Sequence, residues 1–121
     1  MTSLKKAESK IHGQGIFTEE RIAKGREFYQ IQPNKKYNHQ VKGCAFIGDN
    51  TWIEDKVLNF VNHSCDANTL FDTSKLALIA LREIQKGEEI TVDYNLTETG
   101  GNRVDCNCGS QKCRGYFLRI E

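Results

Sequence analysis

The chain lacks the features that mark membrane and secreted proteins. No apolar run approaches the ~20 residues that a membrane-spanning helix needs. Residues 1–6 do not form the apolar stretch of a secretory signal peptide. We therefore expect an intracellular protein, which is cytoplasmic or, if its source is eukaryotic, nuclear.

An excess of charge of one sign is also missing. The chain has 17 basic and 16 acidic residues and a formal net charge of +1. A basic surface that would attract nucleic acid or an anionic membrane is not indicated, so we expect neither kind of direct binding. At 121 residues, 27% charged and 38% hydrophobic, the sequence is typical of one soluble domain with a small core. Its oligomeric state is left open.

Helical periodicity is scarce, and short apolar segments alternate with glycine and asparagine turns, which predicts a mainly β fold. The predicted strands are residues 4–9, 16–18, 27–31, 44–47, 69–72, 76–81 and 89–92. One helix of about two turns is predicted over residues 55–61, with Asp55 as a cap near its start. Residues 95–103 are predicted to form a loop because they include Gly100 and Gly101.

One local pattern, Ile-x-Lys-Gly followed by a strand, occurs at residues 22–25 and again at 84–87. Glycine supplies the positive φ that such a turn often needs. Two copies with unlike flanks indicate the same turn used twice and not a repeat architecture.

Five cysteines are present, an odd number that argues against a complete disulfide framework. Cys106, Cys108 and Cys113 lie within one short segment, and clustered thiols in a reducing compartment indicate a metal more often than a disulfide. Zinc in structural sites takes four ligands, so this segment is one ligand short, and Cys65 is the candidate for the fourth. Cys44 lies in an apolar run and is predicted to be a small buried hydrophobe.

The pair Gly13 and Gly15 precedes an apolar segment that is predicted to be a strand and not a helix. That context excludes dinucleotide and P-loop sites. Two interpretations stay open: a tight turn in a hairpin, and a backbone that a ligand approaches closely.

Polar side chains are concentrated at residues 62–68, with Asn62, His63, Ser64 and Cys65 after an apolar segment. Asparagine offers donors and an acceptor, which suits either ligand binding or the satisfaction of irregular backbone. His63 taken alone is more often structural than catalytic. Further on, Tyr94 follows the predicted strand 89–92, where it is either an amphipathic edge residue or a hydroxyl directed into a site.

The order of these motifs resembles that of the SET-domain protein lysine methyltransferases. The resemblance consists of residues 13–17, 62–68 and 87–94 and of the cysteine segment 106–115, which is similar to a post-SET motif. It implies a β-rich SET (β-clip) fold of small sheets, with a knot-like threading of the C-terminal segment and a short zinc-bound tail. We therefore divide the chain into a SET domain, 1–97, and a post-SET segment, 98–121.

The resemblance also implies a cofactor, a metal and roles for individual residues. Tyr94 would be the active-site tyrosine, and Tyr116 and Phe117 would cover the cofactor or line the lysine channel. Zn²⁺, as one structural ion, would be bound by Cys65, Cys106, Cys108 and Cys113. S-adenosylmethionine would be bound by Gly13, Gln14, Gly15, Asn62, His63, Tyr94, Tyr116 and Phe117.

The implied function is transfer of a methyl group from S-adenosylmethionine to a lysine side chain of a protein substrate. The alternative is a SET-like, zinc-containing module that binds cofactor or peptide with weak or no catalysis.

The chain departs from the family's pattern at Asn59, where arginine is usual, and at Ala67, where proline is usual. Val92 stands where some members carry an aromatic residue that influences how many methyl groups are added, so the degree of methylation is left open.

Overall fold

The computed structural model describes residues 3–11, 13–33, 35–39, 45–48, 50–93, 102–106, 111 and 113–119. For residues 45, 46, 102–105 and 117–119 only the backbone is described. Within these residues the fold is built of short strands and one 3₁₀ turn, which confirms the predicted mainly β class. The strands are β1 (Leu4–Glu8), β2 (Gln14–Thr18), β3 (Glu27–Gln30), β4 (Lys35–Tyr37), β5 (Ala45–Gly48), β6 (Thr51–Glu54), β7 (Asn62–His63), β8 (Thr69–Asp72), β9 (Ala77–Ala80), β10 (Thr91–Val92), β11 (Asn102–Asp105) and β12 (Tyr116–Arg119).

The strands form five small sheets. Antiparallel pairs are β1–β2 and β11–β12, and antiparallel three-stranded sheets have the orders β3-β9-β8 and β4-β6-β5. The fifth sheet is a short parallel pair of β7 and β10. A short turn joins the antiparallel strands β8 and β9, whereas a parallel pair needs a longer crossover connection. The β7–β10 pair therefore joins two distant stretches of the chain.

The core lies where these sheets meet, and the burial of alternate residues explains why segments such as β8 form strands. In β8, Thr69 and Phe71 are buried while the residues that alternate with them are partly exposed, which is the pattern of a strand with one covered face. Among the described residues, the aliphatic side chains with no exposed surface are Ile22, Ile53, Leu78, Ile84 and Ile90.

The two Ile-x-Lys-Gly turns pack against each other. Ile22 and Ile84 form an isolated antiparallel bridge with backbone hydrogen bonds of 2.8 and 2.9 Å, and both side chains are buried. Gly25 and Gly87 have φ values of 84° and 86°, which confirms the predicted use of glycine in the turns. The same type of turn is thus used twice, and the two copies are joined at their isoleucines.

The predicted helix over residues 55–61 is wrong in type and length, since the structure has a single 3₁₀ turn, Leu58–Phe60. The N-cap of this turn is Val57 and not the predicted Asp55, although the Asp55 carboxylate accepts hydrogen bonds from the backbone N–H groups of Val57 and Leu58, at 2.8 and 2.9 Å. It also accepts from the Tyr29 hydroxyl and the Gln32 amide. The chain becomes extended at Val61, and Asn62 and His63 then pair with β10 as β7 instead of continuing a helix.

The sequence prediction missed strands β4, β6, β7, β11 and β12. The predicted loop 95–103 is wrong at its end, because Asn102 and Arg103 begin β11. Cys44 and residues 94–101 lie outside the described residues. The predicted knot-like threading depends on residues 94–101 and stays a prediction, as does the division at residue 97. In the part of the chain that is described, no helix has the length and apolar character needed to cross a bilayer.

Candidate active site

The parallel pair of β7 and β10 brings two of the polar motifs side by side. Asn62 pairs with Thr91 and His63 with Val92, and the Ser64 amide donates to the Val92 carbonyl at 3.1 Å. All five residues are buried. The strand that leads into Tyr94 is therefore fixed against the Asn-His segment. Tyr94 itself lies outside the described residues, so its predicted role stays a prediction.

Asn62 connects this strand pair to the glycine segment. Its side-chain amide donates to the Gln14 carbonyl at 3.2 Å and to Glu89 Oε2 at 2.9 Å. Both partners are acceptors, so the orientation of the carboxamide is fixed. The structure thus brings the predicted residues Gly13, Gln14, Gly15 and Asn62 together, and leaves their predicted cofactor role as a prediction.

The two glycines of that segment are required for different physical reasons. Gly13 has φ +45° in the turn that joins β1 to β2, where the Ser9 amide donates to the Gly13 carbonyl at 2.8 Å. The hairpin interpretation of this glycine pair is thereby confirmed. Gly15 lies in β2 without positive φ, but a Cβ there would be 2.9 Å from Glu89 Cδ and would overlap its carboxylate. Glycine is therefore required at position 15 because the Glu89 carboxylate leaves no room for a Cβ atom.

Two side chains that the sequence prediction left without a role organise the site. Glu89 accepts hydrogen bonds from Ser9 and Asn62. Asn68 is buried, and its side chain bonds the Thr91 amide at 3.0 Å and the Glu89 carbonyl at 2.7 Å. Asn68 lies in the motif 62–68 and Glu89 in the motif 87–94. The sequence therefore showed each of them only as a polar residue next to a buried strand. Only their partners, which are distant in sequence, reveal the roles.

His63 lies between the strand pair and the cysteines. Its Nε2 is 3.4 Å from Cys65 Sγ, and its Nδ1 is 3.7 Å from Asp93 Oδ1. Burial lowers the pKa of His63 to about 4; Asp93 opposes this shift and the nearby Arg114 adds to it. The imidazole is therefore uncharged at neutral pH.

The predicted metal ligands Cys65 and Cys106 meet although they are far apart in the chain. Their sulfur atoms are 3.8 Å apart. That separation equals the edge of a tetrahedron of sulfurs around zinc, ~3.8 Å for Zn–S bonds of ~2.3 Å. His63, Cys65 and Cys106 form a group whose ligand atoms all lie within 4.8 Å of one another. The donors therefore fit a zinc ion.

Cys113, a third predicted ligand, does not join that group of three. It lies nearby, with its thiol 4.0 Å from the Cys106 carbonyl, and its sulfur accepts the Gly115 amide at 3.3 Å. The Arg114 amide likewise donates to Cys65 Sγ at 3.3 Å. Backbone N–H groups are thus directed at the sulfur atoms of both cysteines. The fourth predicted ligand, Cys108, lies outside the described residues.

The C-terminal segment is also tied to the strand pair by charge. Arg114 Nη2 donates to Asp93 Oδ1 at 2.8 Å, and the Cys106 amide donates to the Gly115 carbonyl at 3.1 Å.

Tyr116 begins β12 and is half-buried, and Phe117 pairs with Val104 through the backbone. The predicted contacts of Tyr116 and Phe117 with cofactor or lysine stay predictions.

A cleft of about 240 Å³ opens beside this arrangement. Four of its lining residues are the apolar Leu70, Phe71, Leu81 and Val92. Asp66 and Asp93 contribute carboxylates to the same cleft. An apolar cleft that carries acidic groups can accept the aliphatic stem and the charged head of a basic side chain.

Comparisons with known proteins agree with the resemblance drawn from the motifs. A family model described as the SET domain matches residues 13–95. The chain is 30% identical to human histone-lysine N-methyltransferase 2B, over 90% of this chain and 5% of the relative. It is also 30% identical to the H3 lysine-4 specific histone-lysine N-methyltransferase of Chaetomium globosum, over 94% of this chain and 13% of the relative. The chain thus spans a small fraction of these relatives.

Among solved structures, the methyltransferase domain of human histone-lysine N-methyltransferase SETMAR is similar to this chain. The TM-score is 0.73 at 20% identity, and the match covers 99% of this chain and 59% of that one. At that identity the likeness concerns the fold alone. It confirms the predicted fold of small β-sheets.

Proposed function

We propose that this chain, which belongs to the SET-domain family, is a protein-lysine methyltransferase that uses S-adenosylmethionine. The observation that carries the proposal is the Asn62 side chain, which joins the glycine segment to the strand pair leading into Tyr94. The curated relatives are histone-lysine N-methyltransferases, which supports a lysine of a protein as the acceptor. We propose a protein substrate without assigning it to histones.

S-adenosylmethionine supplies a methyl group on a positively charged sulfonium; when an amine displaces the methyl group, the carbon–sulfur bond breaks and a neutral thioether leaves. The chain's own task is therefore to hold the reactants in line, since positioning supplies much of the rate in such a reaction. In our proposal the Gly13–Gly15 backbone and Asn62 hold the cofactor. Tyr94 orients the attacking amine by accepting or donating a hydrogen bond through its hydroxyl.

The acceptor lysine must lose a proton, because its ordinary pKa is about 10.4 and only the neutral amine attacks. The cleft lined by Leu70, Phe71 and Val92 suits this step. Apolar walls disfavour the ammonium form and lower its pKa, and the proton leaves to solvent before the carbon–nitrogen bond forms. Asp66 at the cleft would attract the charged lysine before it enters, whereas Asp93 is already paired with Arg114.

Zinc has a structural role in the proposal. Cys65, Cys106, Cys108 and Cys113 would hold one ion, which would fix the C-terminal segment beside β7. A site closed by four thiolates leaves no open position for substrate, so the metal takes no part in the transfer. Reduced thiols are needed, and we therefore also propose an intracellular location.

The experiment is a radiolabelled methyl-transfer assay with the zinc-loaded chain, protein substrates from a lysate and purified core histones. Tyr94→Phe should lose most turnover while it keeps affinity for S-adenosylmethionine in calorimetry. Lys35→Ala, a change on an exposed strand residue, serves as the control. Cofactor binding without any labelled protein would favour the non-catalytic module, and full turnover of Tyr94→Phe would contradict the role of Tyr94.

A further inference from the structure

The carboxylate of Glu89 lies at the junction of three segments of the candidate site. It belongs to the stretch just before β10, and it accepts the Ser9 hydroxyl with both oxygens, at 2.7 and 2.9 Å. Its Oε2 also accepts the Asn62 side-chain amide at 2.9 Å. Hydrogen bonds to an ionised acceptor are about twice as strong as neutral ones. One side chain therefore ties the β1–β2 hairpin to β7.

The requirement for glycine at position 15 follows from this carboxylate. A Cβ at Gly15 would overlap Glu89 Oε2 and would also lie 3.1 Å from Ser9 Cβ. A carboxylate at the end of a flexible side chain could ordinarily move aside at little cost. Here any movement breaks the bonds to Ser9 and Asn62, so the side chain resists displacement.

We infer that Glu89 is a positioning residue for the cofactor: it fixes the Asn62 carboxamide and the Gly13–Gly15 backbone in their binding geometry. The inference rests on the proposed function, since it assigns Glu89 to the same site. Its action is indirect, because the groups it fixes and not Glu89 itself would contact the cofactor. Groups that bind a ligand work best when their own rotamers are held by such supporting hydrogen bonds.

The first test compares Glu89→Gln with Glu88→Gln, the same change at the neighbouring position. Glu88 contacts Asn68 and Arg82 instead of the glycine segment. Glutamine at 89 keeps the size of the side chain but loses the charge and one acceptor oxygen, so the charge-assisted bonds from Ser9 and Asn62 are weakened and one of the acceptor positions is lost. We expect the Kd for S-adenosylmethionine to rise about 10-fold in Glu89→Gln, the effect of one charged hydrogen bond, and to stay near the wild-type value in Glu88→Gln.

Measurement of kcat distinguishes a positioning role of Glu89 from a general loss of structure. At saturating cofactor, kcat of Glu89→Gln should stay within about two-fold of wild type, because the lost interaction concerns binding and not the transition state alone. Equal loss of affinity in both glutamine variants, or wild-type affinity in Glu89→Gln, would overturn the positioning role.

The second test is a double-mutant cycle between Gly15 and Glu89. Gly15→Ala should weaken cofactor binding about 10-fold in the wild-type background but less than about 3-fold in Glu89→Ala, where the overlapping carboxylate is gone. Urea denaturation without cofactor should show the same coupling in the free energy of unfolding. Equal penalties in both backgrounds would refute the steric link.

The two hypotheses fail in different ways. A wild-type chain that binds no S-adenosylmethionine refutes the proposed function and the positioning role with it. A wild-type chain that binds it normally, together with an unaffected Glu89→Gln, refutes the positioning role alone.

Discussion

Replacing the buried Asn68 tests how the strand before Tyr94 is held. The Asn68 side chain is 2% exposed. Its Oδ1 accepts from the Thr91 amide at 3.0 Å and from the Thr69 hydroxyl at 2.9 Å. Its Nδ2 donates to the Glu89 carbonyl at 2.7 Å and to Glu88 Oε2 at 3.2 Å. One side chain thus bonds the backbone on both sides of Ile90.

Asn68→Ala leaves the Thr91 amide and the Glu89 carbonyl without this partner. Each buried polar group that loses its hydrogen bond costs ~1–3 kcal/mol, so we expect the free energy of unfolding to fall by about 2–6 kcal/mol. That loss is a large part of the ~5–15 kcal/mol typical of a domain. Asn68→Asp keeps the volume but replaces the donor with a carboxylate oxygen facing two acceptors, so at neutral pH it should be at least as damaging.

Urea denaturation of the zinc-loaded chain, followed by the fluorescence of its single tryptophan, Trp52, measures these changes. The control is Asn50→Asp, the same chemical change at an exposed residue whose side chain makes one 3.2 Å hydrogen bond. It should stay within about 0.5 kcal/mol of wild type. An Asn68→Asp variant that is as stable as Asn50→Asp would refute the role given to Asn68.

Three further changes have expected outcomes. Native mass spectrometry should find one zinc per chain in the wild type and none in Cys65→Ser; a metal content indifferent to Cys65 would contradict the ligand set. Asp55→Ala removes a buried carboxylate that accepts several hydrogen bonds and should cost about 3 kcal/mol or more. Asp72→Ala, at a more exposed turn, should cost clearly less, and similar losses would argue against the role given to Asp55. Gly87→Ala, at φ 86° with nothing within 4 Å of its Cβ, should cost about 1–2 kcal/mol from backbone strain alone, and an unchanged thermal midpoint would argue against that strain.

Local signals predicted the elements that depend on local physics. The alternation of β8 and the Lys-Gly turns at Gly25 and Gly87 are set by side-chain period and by backbone sterics. Both could therefore be predicted from short stretches of sequence. The predicted helix at residues 55–61 was wrong because Asn62 and His63, directly after the single turn, pair with the distant strand β10.

Contacts between distant segments could not be predicted from patterns alone. The parallel pairing of β7 with β10 involves strands of two residues each, too short to show a period. The role of Glu89 depends on Ser9 and Asn62, which lie 80 and 27 residues away in the sequence. No local pattern distinguishes such a glutamate from an exposed one.

The sequence by itself determined the mainly β class and the turn glycines, because these follow from residue type and spacing, and its clustered cysteines predicted a metal site. The tertiary structure decided that Cys65 and Cys106 lie at a distance suited to zinc. It also decided that Asn62 joins the glycine segment to β10, and that Gly15 is glycine because of Glu89. Those facts depend on which distant segments the core brings together, and that is a property of the whole chain.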